Sequence, residues 1–90
     1  MPFQNFSVAM SVYKKDNALF LERAIRSITE EQTIMPNEII LVADGPLSDS
    51  LNNIIKKYEK RYSFLQVIRL PENKGLGNAL KIAVENCSYD

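Results

Sequence analysis

Three short polar segments of this sequence contain residue types that could bind a nucleotide. SVYKKDN contains Ser11 and Tyr13, ADGPLSDS contains Asp44, and PENKGLGN contains Lys74 and Gly75. A carboxylate can accept a hydrogen bond from a base N–H or a ribose hydroxyl, and glycine lets the backbone approach a ligand closely. If the fold brings the three segments together, they indicate a nucleotide site.

Each polar segment follows a short apolar run. In the first run, residues 6–12, larger apolar residues alternate with serine and alanine, which predicts a strand with one small-residue face that a helix or a ligand can approach. The second, residues 38–44, is apolar on both faces, as expected of an interior parallel strand. The third, residues 65–70, alternates less cleanly, which places it nearer an edge.

Helical periodicity occurs in residues 16–33, 48–62 and 76–87. Asp16 or Asn17 can cap the first helix, and Ser48 or Asp49 can cap the second. The apolar faces that we predict are Leu21, Ala24, Ile25 and Ile28 in the first helix, Leu51, Ile54, Ile55, Tyr58 and Tyr62 in the second, and Leu76, Leu80, Ala83, Val84 and Cys87 in the third.

The βαβαβα order predicts an α/β fold, a Rossmann-like unit of the three-layer type with parallel strands and right-handed crossovers. In the strand order 3-2-1, both crossover helices lie on one face of the sheet. The other face of the second strand is then uncovered although it is apolar. This mismatch suggests either a larger fold or self-association through the uncovered face.

Composition narrows the class of protein. The 90 residues form about one domain, 46% hydrophobic and 24% charged, and the 11 basic residues balance the 11 acidic ones, so nucleic acid is not expected as a partner. Cys87 is the only cysteine and there is no histidine, which excludes an internal disulfide and a usual zinc site. We expect Cys87 to pack in the core. A signal peptide and a membrane-spanning run are absent, which favours the cytoplasm.

Two familiar nucleotide or phosphate folds do not match. A dinucleotide fold places Gly-x-Gly-x-x-Gly directly after the first strand, whereas here Gly75 and Gly77 follow the third strand without a third glycine. A receiver-type phosphoacceptor domain needs acidic residues after the first strand and an acceptor aspartate at the third strand. This chain has valine and arginine at the third strand instead.

A third pattern does match. SVAMSVYKKDN resembles the Val-Ser-Val-Ile-Ile-Pro-Thr-Tyr-Asn type of motif, LVADGPLSD resembles Val-Asp-Asp-Gly-Ser, and ENKGLGNALKIA resembles Asn-x-Gly-x-x-x-Ala-x-Asn. In this order, and at strand ends, these motifs resemble the N-terminal nucleotide-binding half of family 2 glycosyltransferases, the inverting enzymes of the GT-A fold. The resemblance covers essentially all of residues 1–90 and therefore implies that they form one partial nucleotide-sugar-binding domain.

The resemblance implies a set of site residues. Tyr13 and the neighbouring backbone would line the uridine or other nucleobase, Asp44 would hydrogen-bond the base or ribose, and the third motif would lie near the donor's sugar or phosphate. The full set is Ser11, Val12, Tyr13, Asp44, Lys74, Gly75 and Asn78. Ala43 replaces the usual first aspartate of the second motif, and Pro46 stands where serine is common.

Simpler interpretations remain open for several of these residues. Tyr13 could be a packed aromatic at a strand end, and Asp44 could serve only a turn, since Asp-Gly is a favoured turn pair. Asp16 and Asn17 are better explained as helix caps than as ligand contacts. Lys74 could be merely solvated.

Family members also hold a divalent metal, Mn or Mg, with an Asp-x-Asp motif and use a distal carboxylate as general base. The aspartates here are Asp16, Asp44, Asp49 and Asp90, and none forms that motif. We therefore expect an N-terminal portion of a longer transferase, with no catalytic residue or metal ligand in this chain and no transfer by it alone.

The implied function is transfer of a sugar from a nucleotide-diphosphate sugar, UDP-sugar foremost, to a hydroxyl of a glycan or lipid-linked acceptor. Membrane association of the longer protein is left open. The alternative is a non-catalytic α/β module for nucleotide binding or assembly.

Overall fold

The computed structural model describes residues 5–30 and 34–89, so the predicted helical residues 31–33 and Asp90 lie outside the described part of the chain. Within these residues, three strands alternate with three helices. They are β1 (Ser7–Val12), α1 (Ala18–Thr29), β2 (Glu38–Ala43), α2 (Asp49–Arg61), β3 (Leu65–Arg69) and α3 (Leu76–Glu85).

The sheet has the predicted order. β2 lies between β1 and β3, and both pairings are parallel. In the register of the sheet, Val8 of β1 lies opposite Ile39 of β2, and Ile39 lies opposite Leu65 of β3. All six residues of β2 are buried, which confirms it as the interior strand. Since parallel strands end at the same edge, the three polar segments meet there.

The helices α1 and α2 pack together on one face of the sheet, as predicted. Leu21 and Ile25 of α1 and Leu51 and Ile55 of α2 form one buried cluster with the apolar side chains of that sheet face. Each fully buried aliphatic side chain contributes about 1.5–3 kcal/mol to folding.

Two of the predicted caps are present. The Asn17 carboxamide accepts from the backbone N–H of Leu19 and Phe20, and the Ser48 hydroxyl accepts from that of Leu51. These bonds fix where α1 and α2 begin, and each stabilises its helix by about 1 kcal/mol.

The opposite face of β2 is covered, so the predicted uncovered face is wrong. Helix α3 crosses this face, and Ile40 and Val42 are fully buried against Ala79 and Ala83. The prediction failed because it considered only the two crossover helices, whereas α3 turns back over the sheet after β3. Self-association through an uncovered face of β2 therefore loses its basis.

The predicted buried face of α3 is correct for Ala83 but wrong for the leucines and the valine. Leu76 and Val84 are 66% and 62% exposed, and Leu80 is 37% exposed, whereas Ala79 and Ala83 are fully buried. Small side chains let α3 approach the small-residue face of β1, which contributes Ala9 to the same cluster. The close contact between α3 and the sheet therefore buries the alanines and leaves the leucines exposed.

Cys87 lies just beyond α3 and not within it. It is partly buried, it packs against the α3 side of the sheet, and its thiol donates to the Ala83 carbonyl at 3.2 Å. The prediction that Cys87 packs against the core is confirmed.

A buried carboxylate lies at the amino-terminal edge of the sheet, opposite the strand ends that face the polar segments. Glu38 is 7% exposed and accepts hydrogen bonds from the Ser7 hydroxyl, at 2.7 Å, and from the Ser88 backbone N–H. These bonds, that of Ser88 first, hold the pKa of Glu38 below its ordinary value. Tyr89 N–H donates to the Ser7 hydroxyl at 3.0 Å, so the segment after α3 is held against β1.

No helix in the described residues is both long and apolar enough to cross a bilayer.

Candidate functional site

A cavity of about 480 Å³ lies at the carboxyl ends of the strands. All three loops that follow the strands contribute to it, as expected where ligands bind open α/β sheets. Its lining residues are Ser11, Val12, Tyr13, Asp16, Asp44, Asn73, Gly75 and Leu76.

The loop after β1 places an aromatic ring at the cavity. Val12 is buried at the end of the strand, whereas Tyr13 is 40% exposed. The carboxylate of Asp16 accepts from Tyr13 N–H at 3.0 Å, and Asp16 N–H donates to the Tyr13 carbonyl at 2.9 Å. Asp16 therefore closes the turn that presents Tyr13, while Asn17 caps the helix.

The carboxylate of Asp44 links two of the loops. It is 4% exposed, and its two oxygens accept from the backbone N–H groups of Lys74, at 2.7 Å, and Gly75, at 3.0 Å. Its own N–H donates to the Val12 carbonyl at 2.8 Å. Because an ionised carboxylate has about four acceptor positions, Asp44 can hold the loop after β3 and still accept from a ligand.

Gly45 lets the loop after β3 approach the turn after β2. Its φ is +92°, and a Cβ at this position would lie 2.7 Å from the backbone nitrogen of Asn73. Only glycine fits both the backbone conformation and the contact. Asp44 and Gly45 therefore hold Asn73, Lys74 and Gly75 in place.

Gly75 precedes α3 and has a φ of +98° and a ψ of 156°, a region that is essentially restricted to glycine. No atom of the described protein beyond its chain neighbours lies within 4 Å of where its Cβ would be. The space beside Gly75 is open to the cavity, so a ligand can approach this backbone.

The structure brings together most, but not all, of the predicted residues. Ser11, Val12, Tyr13, Asp44 and Gly75 line the cavity, whereas Lys74 and Asn78 do not. Lys74 contributes its backbone N–H to Asp44, and its ammonium pairs with Glu72 at 2.8 Å on the surface. Asn78 is exposed in the first turn of α3.

Sequence reasoning missed three lining residues. Asp16 was interpreted as a helix cap, Leu76 was assigned to the core, and Asn73 stands in the third motif but was not chosen as a site residue. The signal for Asn73 was its position two residues before Gly75, because asparagine readily hydrogen-bonds a backbone amide two residues further on. Its Oδ1 accepts from Gly75 N–H at 3.1 Å.

A second cavity of about 280 Å³ adjoins the first and shares Asp44 and Asn73 with it. It lies between the same three loops, and it adds a cationic residue, Lys14, and an anionic one, Glu72. The full lining is Lys14, Asp44, Gly45, Pro46, Pro71, Glu72 and Asn73.

The carboxylates of the main cavity do not form a metal site. In residues 5–30 and 34–89, no group of three or more possible ligands lies close enough to hold an ion. Asp44 and Asp16 both accept from backbone N–H groups, which is a hydrogen-bonding role. The described residues therefore do not fit a divalent cation.

Fold and cavity together define an α/β protein with a cavity at the strand ends, and the fold is that of the N-terminal half of a GT-A fold. The chain belongs to glycosyl transferase family 2, whose sequence model matches residues 7–90.

Three curated glycosyltransferases are similar in sequence to this chain. Over 85 residues, or 94% of this chain, the identity is 39% to UDP-Gal:alpha-D-GlcNAc-diphosphoundecaprenol beta-1,3-galactosyltransferase of Escherichia coli and 39% to an uncharacterized glycosyltransferase of Haemophilus influenzae. It is 36% to the amylovoran biosynthesis glycosyltransferase AmsE of Erwinia amylovora. The chain spans 30% of the first relative and 31% of the other two, in their N-terminal part.

Proposed function

We propose that this chain is the nucleotide-sugar-binding part of a glycosyltransferase that transfers a sugar from a UDP-sugar to an acceptor hydroxyl with inversion. The observation that carries the proposal is the cavity at the strand ends, which combines an exposed tyrosine, a nearly buried aspartate and an open glycine backbone. Membership of glycosyl transferase family 2 supports glycosyl transfer as the reaction.

Each lining group has a role in this proposal. The Tyr13 ring offers a face for the base, and the Ser11 and Val12 backbone borders it. The Asp44 carboxylate accepts a base N–H, while Gly75 leaves room for the diphosphate near the start of α3, where the helix dipole favours negative charge. Lys74 and Asn78 lie outside the lining and would reach the sugar or phosphate only after side-chain movement.

In the proposed reaction, the acceptor oxygen attacks the anomeric carbon as the bond to UDP breaks, and a carboxylate removes the acceptor proton. A single displacement of this kind inverts the anomeric centre. The proposal assigns the catalytic base, and any Mn or Mg ligands, to residues outside these 90, so this chain alone should bind nucleotide without transferring sugar.

The acceptor is proposed from the relatives. The name of the Escherichia coli relative includes GlcNAc-diphosphoundecaprenol, and that of AmsE includes amylovoran biosynthesis. A glycan or lipid-linked acceptor is therefore proposed for the longer protein, together with association of that protein with the cytoplasmic side of a membrane.

A non-catalytic nucleotide-binding module is the second candidate. It requires only the cavity itself, whose carboxylates accept hydrogen bonds from backbone N–H groups. The two candidates differ in whether residues that supply the metal ligands and the base belong to the same polypeptide.

Calorimetric titration of the chain with UDP tests the shared part of both candidates. Wild type should bind UDP weakly and equally with or without Mg²⁺, and Asp44→Ala should bind less tightly. Glu59→Ala, which removes an exposed carboxylate on α2, is the matched control and should bind like wild type. Equal UDP binding by wild type and Asp44→Ala would remove Asp44 from the site.

A further inference from the structure

We propose that the start of α1 is a docking surface for an anionic lipid bilayer. The surface, named the α1 tip, consists of Lys14 and Lys15 in the loop after β1 and of Leu19, Phe20 and Arg23 in the first turns of α1. The inference rests on the proposed function, because transfer to a lipid-linked acceptor requires the nucleotide cavity to lie at a membrane surface.

Two large apolar side chains of the α1 tip are exposed. Leu19 is 69% exposed and Phe20 is 66% exposed. Both point away from the core, because Leu21 and Ile25 occupy the face of α1 that packs on the sheet. Phe20 also borders a groove of about 200 Å³ between α1 and β1. In a bilayer interface both side chains would be removed from water.

Cations surround these apolar side chains. Lys14, Lys15 and Arg23 are exposed, and none of them forms an ion pair within residues 5–30 and 34–89. Arg23 follows Leu19 by four positions and Phe20 by three, and residues at these spacings are neighbours on a helix surface. The exposed apolar side chains are therefore flanked by positive charge on both sides along the chain.

Two carboxylates lie in the same stretch of chain. Glu22 is directed towards α2, where it pairs with Lys57 at 2.8 Å. The carboxylate of Asp16 accepts a hydrogen bond from Tyr13 N–H and has no cationic partner among the described residues. Three cations thus stand against one carboxylate, so the α1 tip is positively charged.

Another exposed apolar surface, on α3, lacks this excess of positive charge. Leu76, Leu80 and Val84 are exposed there, but the charged residues beside them are Lys81 and Glu85, one of each sign. Apolar side chains flanked by cations are typical of interfacial helices, because anionic headgroups attract the cations while the apolar groups enter the acyl boundary. The α1 tip, and not α3, fits an anionic lipid surface.

The α1 tip lies at the same edge of the sheet as the main cavity. The loop after β1 contributes Tyr13 to the main cavity and Lys14 to the adjoining one. Docking of the α1 tip would therefore set both cavities at the bilayer surface, where the headgroup of a lipid-linked acceptor lies.

Cosedimentation of the chain with vesicles tests this surface. The probes are vesicles of phosphatidylcholine alone and of phosphatidylcholine mixed equally with phosphatidylglycerol. Wild type should bind the mixed vesicles about tenfold or more tightly than the neutral ones. Leu19→Asn and Phe20→Asn should each weaken binding to the mixed vesicles by about tenfold, and Lys15→Gln and Arg23→Gln by about fivefold each.

Two variants elsewhere on the surface are matched controls. Val84→Asn removes a side chain that is 62% exposed on α3, and Lys56→Gln removes an exposed cation on α2. Both should bind the mixed vesicles like wild type. All six variants should keep the circular dichroism spectrum and the UDP affinity of wild type, because none of the changed residues lines the main or the adjoining cavity.

Three results would overturn the inference. They are equal binding of wild type to both kinds of vesicle, no binding to either, and an equal loss of binding in Phe20→Asn and Val84→Asn. Analytical ultracentrifugation without lipid adds a fourth: a dimer that Phe20→Asn dissociates would show that a second copy covers the α1 tip.

Vesicle binding and UDP binding are separate measurements. UDP binding without vesicle binding would remove the α1 tip as a docking surface and leave the nucleotide site. Vesicle binding without UDP binding would contradict the proposed function and leave the docking surface.

Discussion

Replacing Gly45 with alanine should destabilise the fold more than the same replacement at Gly75. Both glycines have a positive φ, +92° and +98°. Holding a residue with a side chain in such a conformation costs about 1–3 kcal/mol. The surroundings differ: a Cβ at Gly45 would lie 2.7 Å from Asn73 N and 3.1 Å from Glu72 C, whereas at Gly75 the space is open.

The size of the difference follows from the identity of those atoms. They belong to the backbone, so no side-chain rotation can relieve the contact, and the loop must move away from β2. Overpacking of this kind costs about a further 1–3 kcal/mol. Gly45→Ala should therefore lower the free energy of unfolding by about 1–3 kcal/mol more than Gly75→Ala, a further shift of roughly 4–8 °C in Tm per kcal/mol.

Urea unfolding followed by far-ultraviolet circular dichroism measures this difference, with wild type and both variants compared at equal m-values. Gly45→Ala should also weaken UDP binding, because the displaced loop carries Asn73 and Gly75. Equal free energies of unfolding for the two variants would refute the reasoning that the Gly45 contact holds the loop.

Three other parts of the fold offer tests. Because hydrogen bonds hold the pKa of Glu38 below 4.5, its stabilisation is present above that pH and lost as pH falls through the folded-state pKa. Glu38→Gln should thus be less stable at neutral pH, and its urea midpoint should converge with that of wild type as the pH falls through the folded-state pKa of Glu38; parallel profiles would contradict this. Burial first, and then the hydrogen bond to Glu22, raises the pKa of Tyr58 to about 12. Absorbance titration should show one tyrosine ionising near pH 12, and the free energy of unfolding should fall above about pH 10. Tyr58→Phe should lack the ionisation step near pH 12. In thermal denaturation, Ala83→Leu should cost about 1–3 kcal/mol, and Leu80→Ala less than about 1 kcal/mol; the reverse order would show that the buried face of α3 is misassigned.

Much of the fold could be predicted because local pattern and sheet topology agree. The apolar runs and helical spacings predicted all six described elements and the strand order, since a buried parallel strand must be apolar on both faces. The caps Asn17 and Ser48 were among the predicted alternatives. The errors lie in α3, where spacing favoured the leucines but the small-residue face of β1 accepts only the alanine side of the helix.

The candidate site was predicted less completely than the fold. The motifs at the strand ends predicted Ser11, Val12, Tyr13, Asp44 and Gly75, all of which line the cavity. Asn73 was missed, and the contact between Asp44 and the loop after β3 could not be predicted, because it joins residues about 30 positions apart in the chain.

The sequence by itself determined the elements, the parallel order of the strands and the residue types at the strand ends, because these depend on periodicity and on local hydrogen bonding. Only the tertiary structure decided which face of α3 is buried and which groups meet around the cavity. Those outcomes depend on how closely two backbones can approach each other. The backbones of Gly45 and Asn73 are one such pair, and the backbones of α3 at Ala79 and of the sheet are another. Packing in three dimensions sets these distances.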